Sequence, residues 1–352
     1  MNGTSLATLR ERMGESGIDS FLITHPPNIR YLTGYTGEGA CAVLTRATLT
    51  VFVYRINEEL ARRTIRPPAS VTVIEHSLSA HFTSLGRTFW GETVGYEPGS
   101  LRCSTYRQIT EALDGIALKP LSGLVESLRV VKSEDELAAI GRAQKITDRV
   151  FGEVLGLLTE GVTERDIAAE VDYRSVRAGG EGPAFPTIVA FGANTSMPHW
   201  IPGSRGLANG DIILIDMGTF ADGYASDMTR TVQFGRASLE MRERYRLVAE
   251  AQTAGVAAVR AKARCADAYG AALEVFASRD CGDLFLHSLG HGIGLEVHEA
   301  PAVTARSDET FLEYAAVTVE PGIYIPGWGG IRIEDIVVVT DSGTRTITTS
   351  PK

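Results

Sequence analysis

Two acidic residues, Asp216 and Asp227, flank an Ala-Asp-Gly turn in the stretch 212–234, IILIDMGTFADGYASDMTRTVQF. An apolar run enters that turn and a β-branched, polar run leaves it, which is a hairpin pattern. If Ala221 and Asp222 form the turn, Asp216 faces Asp227 directly. If Asp222 and Gly223 form it, Asp227 is the diagonal neighbour of Asp216 on the same face. Either register brings two carboxylates together, at about 5 Å when directly opposed, in a run that should be buried. Like charges so placed repel, and a cation is needed between them.

A second hairpin, 317–339, reads VTVEPGIYIPGWGGIRIEDIVVV, with its tip at the Pro-Gly-Trp-Gly-Gly segment around Gly327. Glu320 and Glu334 lie symmetrically about that tip, and alternation puts Arg332 on the face of Glu334, with Ile331, Ile333 and Asp335 on the other. Between the hairpins, 286–299 (LHSLGHGIGLEVHE) holds three of the chain's seven histidines, His287, His291 and His298, among glycines that let backbone pass close to a site. Four carboxylates with a histidine suit a pair of hard or borderline divalent ions, Mn²⁺, Co²⁺ or Zn²⁺. The expectation is a dinuclear metal site.

The elements that position these residues fall into two groups. Over 1–126 the spacing predicts an α/β domain: strands at 20–24, 40–45 and 49–54, a helix at 56–65, a strand at 71–75, a helix at 81–90, a strand at 94–96, a helix at 104–113 and a strand at 117–120. A hinge is expected at 122–128. Over 127–352 the order is mixed, α+β. Ser133 and Glu136 form a capping box that starts a long helix, a second helix covers 164–178, the two hairpins follow, and a helix spans 239–261 between them.

The whole composition suits folded, globular domains: 352 residues, 44% apolar and 22% charged. With 43 acidic against 34 basic residues and a net charge of -9, no basic cluster tracks a phosphate backbone, so nucleic acid is not expected as a partner. Residues 1–13 lack the apolar run of a signal peptide, and no window is long enough to span a membrane. Four cysteines, at 41, 103, 265 and 281, never approach metal-site or disulfide-framework spacing. A reducing cytoplasm is the expected location.

With its acidic hairpins and histidine-bearing segment, the chain resembles the prolidase, aminopeptidase P and methionine aminopeptidase superfamily over essentially its whole length. The motifs LIDMGT, SDMTRT, GHGIG, VEPGIY and IRIED carry the resemblance in order. It implies a pita-bread α+β catalytic domain after an α/β N-terminal creatinase-like domain, and a metal-ligand set of Asp216, Asp227, His291, Glu320 and Glu334. It implies hydrolysis of the Xaa-Pro bond by water activated between two metal ions, Mn²⁺ foremost. Asp227 and Glu334 would bridge both ions, with Glu320 also the proton shuttle. By the same similarity His199, in GPAFPTIVAFGANTSMPHW, and His298 line the substrate site and assist the tetrahedral intermediate and the leaving nitrogen. Tyr224 and Arg332 are supporting polar residues, Arg332 orienting the bridging carboxylates, and His287 is either a support of the site or structural.

The N-terminal domain points within the superfamily to Xaa-Pro peptidases, and a dipeptidase is the expectation, with an aminopeptidase on longer peptides as the alternative. A non-catalytic binding module or a metal-free creatinase-like amidinohydrolase would lack the metal ligands, all of which stand here. Several relatives that cleave dipeptides carry an arginine soon after the His-Glu-x-Pro segment, where this chain has Ala302. Arg30, Arg46 or Arg55 could supply that cation instead. Pro186 and Trp200 also depart from the family pattern and imply an altered pocket wall. A homodimer is expected from the family.

Overall fold

Successive residues of a strand point to opposite faces, and in the strand Leu49–Tyr54 Val51 and Val53 enter one apolar cluster while Phe52 enters another. In Ala40–Thr45 the split repeats, Ala42 and Leu44 against Cys41 and Val43. A sheet whose strands read as apolar on both sides must be covered on both sides. Helices Gly3–Glu15 and Pro26–Thr33 supply Leu6, Leu9, Met13, Ile29 and Leu32 to one face. Helices Leu78–Trp90 and Cys103–Ala112 supply Phe82, Trp90 and Ile109 to the other. Trp90 is fully buried there, its indole Nε1 donating to the Phe82 carbonyl at 3.0 Å.

The computed structural model describes residues 3–352, and the chain divides into two units, Met1–Arg129 and Val130–Lys352. The six-stranded sheet of the first unit runs in the order Ser70–Ile74, Leu49–Tyr54, Ala40–Thr45, Ser20–Ile23, Thr93–Tyr96, Ala117–Pro120, mixing parallel and antiparallel pairs. The helix expected at 56–65 is a 3₁₀ turn, Arg55–Asn57, running into Glu58–Thr64. The helix Pro26–Thr33 is an addition: two prolines read as a breaker, but at the first helical positions their missing N–H groups cost nothing. The stretch expected as a hinge ends in a helical turn, Glu126–Arg129, tied back by Asn28, which donates to Glu126 and accepts from Arg129.

The second unit repeats one construction twice. Helices Glu134–Leu155 and Glu164–Arg177, each opened by a capping box (Ser133 with Glu136, Thr163 with Asp166), cover a three-stranded antiparallel sheet of Met228–Gln233, Ile212–Met217 and Ile188–Phe191. Helices Leu239–Ala258 and Cys265–Ala277 cover a five-stranded antiparallel sheet, Glu299–Val303, Gly290–Gly292, Ala316–Val319, Asp335–Thr340, Gly343–Thr346. A two-stranded hairpin, Gly322–Ile325 with Gly329–Arg332, extends from the larger sheet; at its tip Arg244 lies over the Trp328 ring at 4.5 Å. All four cysteines are free, and burial pushes the thiols of Cys41 and Cys265 up to about 12. Among the described residues, no helix is long and apolar enough to cross a membrane.

Candidate metal centre

Asp222 and Gly223 both have positive φ, 52° and 76°, the backbone that a two-residue hairpin turn of the primed type requires. This selects the second of the two possible registers. Asp216 pairs with Thr229 and Met217 with Met228, so Asp227 is one step further toward the turn, diagonal to Asp216. The second hairpin is symmetric about Gly327, with Gly322 opposite Arg332 and Val319 opposite Asp335. Glu320 and Glu334 fall in the break between its inner and outer ladders, where neither is bound into a strand. His291 sits between two glycines for a steric reason. A Cβ on Gly290 would lie 2.0 Å from the Thr318 carbonyl oxygen, and one on Gly292 would lie 2.0 Å from that of Ala300.

These elements converge. His291 Nε2 lies 3.4 Å from Glu320 Oε1 and 3.6 Å from Asp227 Oδ2, and its Nδ1 bonds the Gly292 carbonyl at 3.0 Å. That bond places a proton on Nδ1 and turns Nε2 toward the acids. Asp227, His291 and Glu334 each offer a ligand atom within 4.8 Å of the others. Arg332, buried, donates from Nη2 to Asp216 Oδ2 (2.7 Å), from Nε to Thr229 Oγ1 (2.9 Å) and from Nη1 to the Tyr324 hydroxyl (2.7 Å). Thr229 Oγ1 in turn donates to Glu334 Oε2 at 2.7 Å.

Electrostatics divide the carboxylates. Burial, then the charges of Glu334, Asp216 and Glu320, hold the Asp227 carboxyl well above its ordinary range; burial, Glu320 and Asp216 do the same to Glu334. Burial also raises Asp216 despite Arg332. Glu320 goes the other way: burial would raise it, but hydrogen bonding and charge from His291 bring it down. His291 is correspondingly raised, Glu320 outweighing the burial that disfavours its charged form. Four carboxylates thus face one guanidinium and one imidazole, and two buried oxygens, Asp216 Oδ1 and Glu334 Oε1, have no protein partner. A mixed oxygen and nitrogen donor set with unfilled oxygens and excess negative charge fits divalent metal ions.

Three further histidines lie around this cluster. His298 packs edge-on against His291, ring centroids 4.3 Å apart, and burial followed by His291 disfavours its charged form. His287 is half-buried, and desolvation disfavours its charged form; its Nδ1 donates to the Ser288 carbonyl at 2.8 Å and its Nε2 accepts from the Tyr324 hydroxyl at 2.8 Å. His199, on an exposed loop, is close enough to His287 and His298 for its charge to oppose theirs. Under that loop Glu164, fully buried, accepts from Phe191 N (2.9 Å), Asn194 Nδ2 (2.8 Å), Trp200 Nε1 (2.9 Å) and Gly203 N (3.0 Å).

Other expected residues lie differently. The Tyr224 hydroxyl donates to Glu136, at the capped helix start, at 3.1 Å. Ala302 pairs with His291 across the sheet and is exposed, its amide donating to Glu309. Pro186 is exposed. Arg30, Arg46 and Arg55 belong to the first unit, Arg46 facing Asp19 at 3.4 Å. Tyr324 and Thr229 escaped the sequence reading. Alternation alone would have placed Thr229 on the face of Asp227 and Tyr324 on that of Arg332.

Comparison with known proteins comes to the same place. A model described as metallopeptidase family M24 matches residues 138–341, and one described as the creatinase/prolidase N-terminal domain matches residues 6–131. The chain is 37% identical to an uncharacterised peptidase of Bacillus subtilis, over 99% of this chain and 98% of the relative. It is 33% identical to an Xaa-Pro dipeptidase of Pyrococcus furiosus, over 97% of each. Among solved structures, an Xaa-Pro dipeptidase from Bacillus anthracis superposes with a TM-score of 0.96 at 33% identity, covering 99% of this chain and 98% of that one.

Proposed function

The chain belongs to metallopeptidase family M24, and from that premise we propose that it is an Xaa-Pro dipeptidase, cleaving the bond before proline. The convergence of Asp227, His291 and Glu334, with the partnerless oxygens of Asp216 and Glu334 beside them, is the observation that carries this reading. The names of the dipeptidases from Pyrococcus furiosus and Bacillus anthracis support the substrate.

Asp216, Asp227, His291, Glu320 and Glu334 would hold two divalent ions, Mn²⁺ first and Co²⁺ or Zn²⁺ as substitutes. Such ions polarise a carbonyl and lower the pKa of water. The protein supplies the rest. Glu320, whose Oε1 lies 3.4 Å from His291 Nε2, takes the proton from the attacking water and returns it toward the leaving nitrogen. His298 and His199 donate hydrogen bonds to the tetrahedral oxyanion and to the leaving proline. Arg332 keeps Asp216 in place through a charge-assisted bond, and Tyr224 contributes to the pocket wall. A cytoplasmic homodimer completes the proposal; sedimentation of the purified protein at twice the chain mass, and its recovery with soluble cytoplasmic markers, check those two parts.

The deciding experiment is proline release from Ala-Pro, compared with cleavage of Ala-Pro-Ala, by metal-free protein reloaded with Mn²⁺. Preference for the dipeptide supports the reading. Preference for the tripeptide would replace it with an aminopeptidase and give Ala302 its explanation; cleavage of neither would remove the peptidase reading.

A further inference from the structure

Glu334 lies outside any strand: the inner ladder ends at Arg332 and the outer one begins at Asp335. Its position therefore depends on bonds from elsewhere. Its N–H donates to the Thr229 carbonyl at 3.2 Å, and its own carbonyl accepts from Arg230 Nη1 at 2.5 Å. Arg230 points away from the acids, on the opposite face of the strand that presents Thr229 to them, and is only 1% exposed. All five of its N–H donors are engaged: Nε with the Pro351 carbonyl (3.0 Å), Nη1 with those of Thr229 (3.0 Å) and Glu334, Nη2 with Asp335 Oδ1 (2.8 Å) and the Ser350 carbonyl (2.8 Å).

Two of those acceptors belong to residues 348–352, and that segment is fastened along its length. Thr348 Oγ1 accepts from Ile336 N at 2.9 Å. Asp148, on the helix Glu134–Leu155, accepts four bonds from this segment, from N and Oγ1 of Thr349 (3.0 and 2.7 Å) and N and Oγ of Ser350 (2.9 and 2.7 Å). Lys352 Nζ reaches Gln252 Oε1 (2.7 Å) and Asp335 Oδ2 (2.5 Å).

We propose that residues 348–352 form a latch that, through Arg230, fixes the peptide of Glu334 and so aims its free carboxylate oxygen. The chain of contacts runs from Asp148 to the segment, from the segment to Arg230, and from Arg230 to the Glu334 carbonyl, while Thr229 clamps Glu334 Oε2 from the other face. Arg230 is thus a positioning residue: it touches neither substrate nor metal. The inference rests on the metal-centre reading given above.

The test uses the full chain with two substitutions, Arg230→Lys, which keeps the charge but loses the fork, and Asp148→Ala, which removes four of the segment's hydrogen bonds without touching Arg230 or the acids. Mn²⁺ affinity is measured by calorimetry, and the visible spectrum of the Co²⁺-loaded protein reports ligand geometry. Each variant should bind Mn²⁺ about 10 to 100-fold more weakly, the usual effect of losing an outer support of a ligand. Each should also show shifted Co²⁺ bands, with activity recovering at saturating Mn²⁺. An Asp148→Ala protein with wild-type affinity and spectrum, whatever its melting temperature, would reduce the segment to a structural anchor and overturn the latch, even if Arg230→Lys does not fold. Wild-type protein that takes up no Mn²⁺ or Co²⁺ would overturn the metal centre and the latch together, which separates the two failures.

Discussion

Glu164 and Asp227 are both carboxylates out of contact with bulk water, one with 0% and the other with 5% exposure, yet their surroundings are opposite. Glu164 accepts four hydrogen bonds, two on each oxygen, all from neutral donors of the 191–203 stretch. Asp227 faces three other carboxylates, and two of its neighbours, Asp216 and Glu334, each keep an oxygen without a protein partner. A buried acid whose oxygens are filled holds a structure together. A group of buried acids with oxygens left over stores repulsion that only an added cation relieves.

The same chemical change, acid to amide, should therefore act in opposite directions in the two places. Asp227→Asn would remove a proposed ligand and one of the repelling charges. Activity should fall roughly a thousandfold, the loss of several kcal/mol of metal-derived stabilisation, and metal uptake with it. Metal-free Asp227→Asn should melt no lower than metal-free wild type, and Mn²⁺ should raise the melting temperature of wild type only. Full activity in the metal-saturated variant would break the contrast.

Glu164→Gln should instead lower folding stability by roughly 2–5 kcal/mol, because an amide NH₂ would face two buried donors left unpaired. Metal stoichiometry should stay that of wild type. Denaturant titration beside metal analysis checks both halves.

Glu97 extends the contrast to the first unit. It accepts from the amides of Thr24 and His25 and from Asn28, but burial dominates and raises its carboxyl above the ordinary range. The folded protein then holds that proton to higher pH than the unfolded chain does. Ionisation consequently costs stability, which falls as pH rises from the unfolded carboxyl value, about 4.3, through the folded one. Melting temperatures of wild type minus those of Glu97→Gln should decline over that window; a flat difference would remove Glu97 from the comparison. The smallest effect is expected at the hairpin tip. Asp222 pairs with Arg142 in the open, at 2.6 Å, and Asn before Gly suits the turn equally well, so Asp222→Asn should change stability by no more than about 0.5 kcal/mol.

Charge and symmetry made much of the centre legible before any coordinates. Acids placed evenly about Gly327, and a second pair about an Ala-Asp-Gly turn, can be found by eye. The two registers of the first hairpin could not be separated, because both put Asp216 and Asp227 on one face; only the positive φ values at Asp222 and Gly223 choose. Thr229 and Tyr324 stayed hidden because neutral hydroxyls leave no charge pattern, although they connect Arg332 to Glu334 and His287. Glu164, in the first turn of a helix, and Arg230, in a strand, carry no local mark in the sequence, since their partners come from distant segments.

The chain has three tryptophans, and they are spread with unusual economy. Trp90 lies inside the apolar core of the first unit, Trp200 hangs from Glu164 next to His199, and Trp328 stands at the second hairpin's tip beneath Arg244. Replacing them with phenylalanine two at a time would leave a single emitter at a known address. Emission from Trp90 would follow unfolding of the first unit, that from Trp200 would report on the loop that carries His199, and quenching of Trp328 would follow the acidic hairpin. The molecule carries its own optical labels.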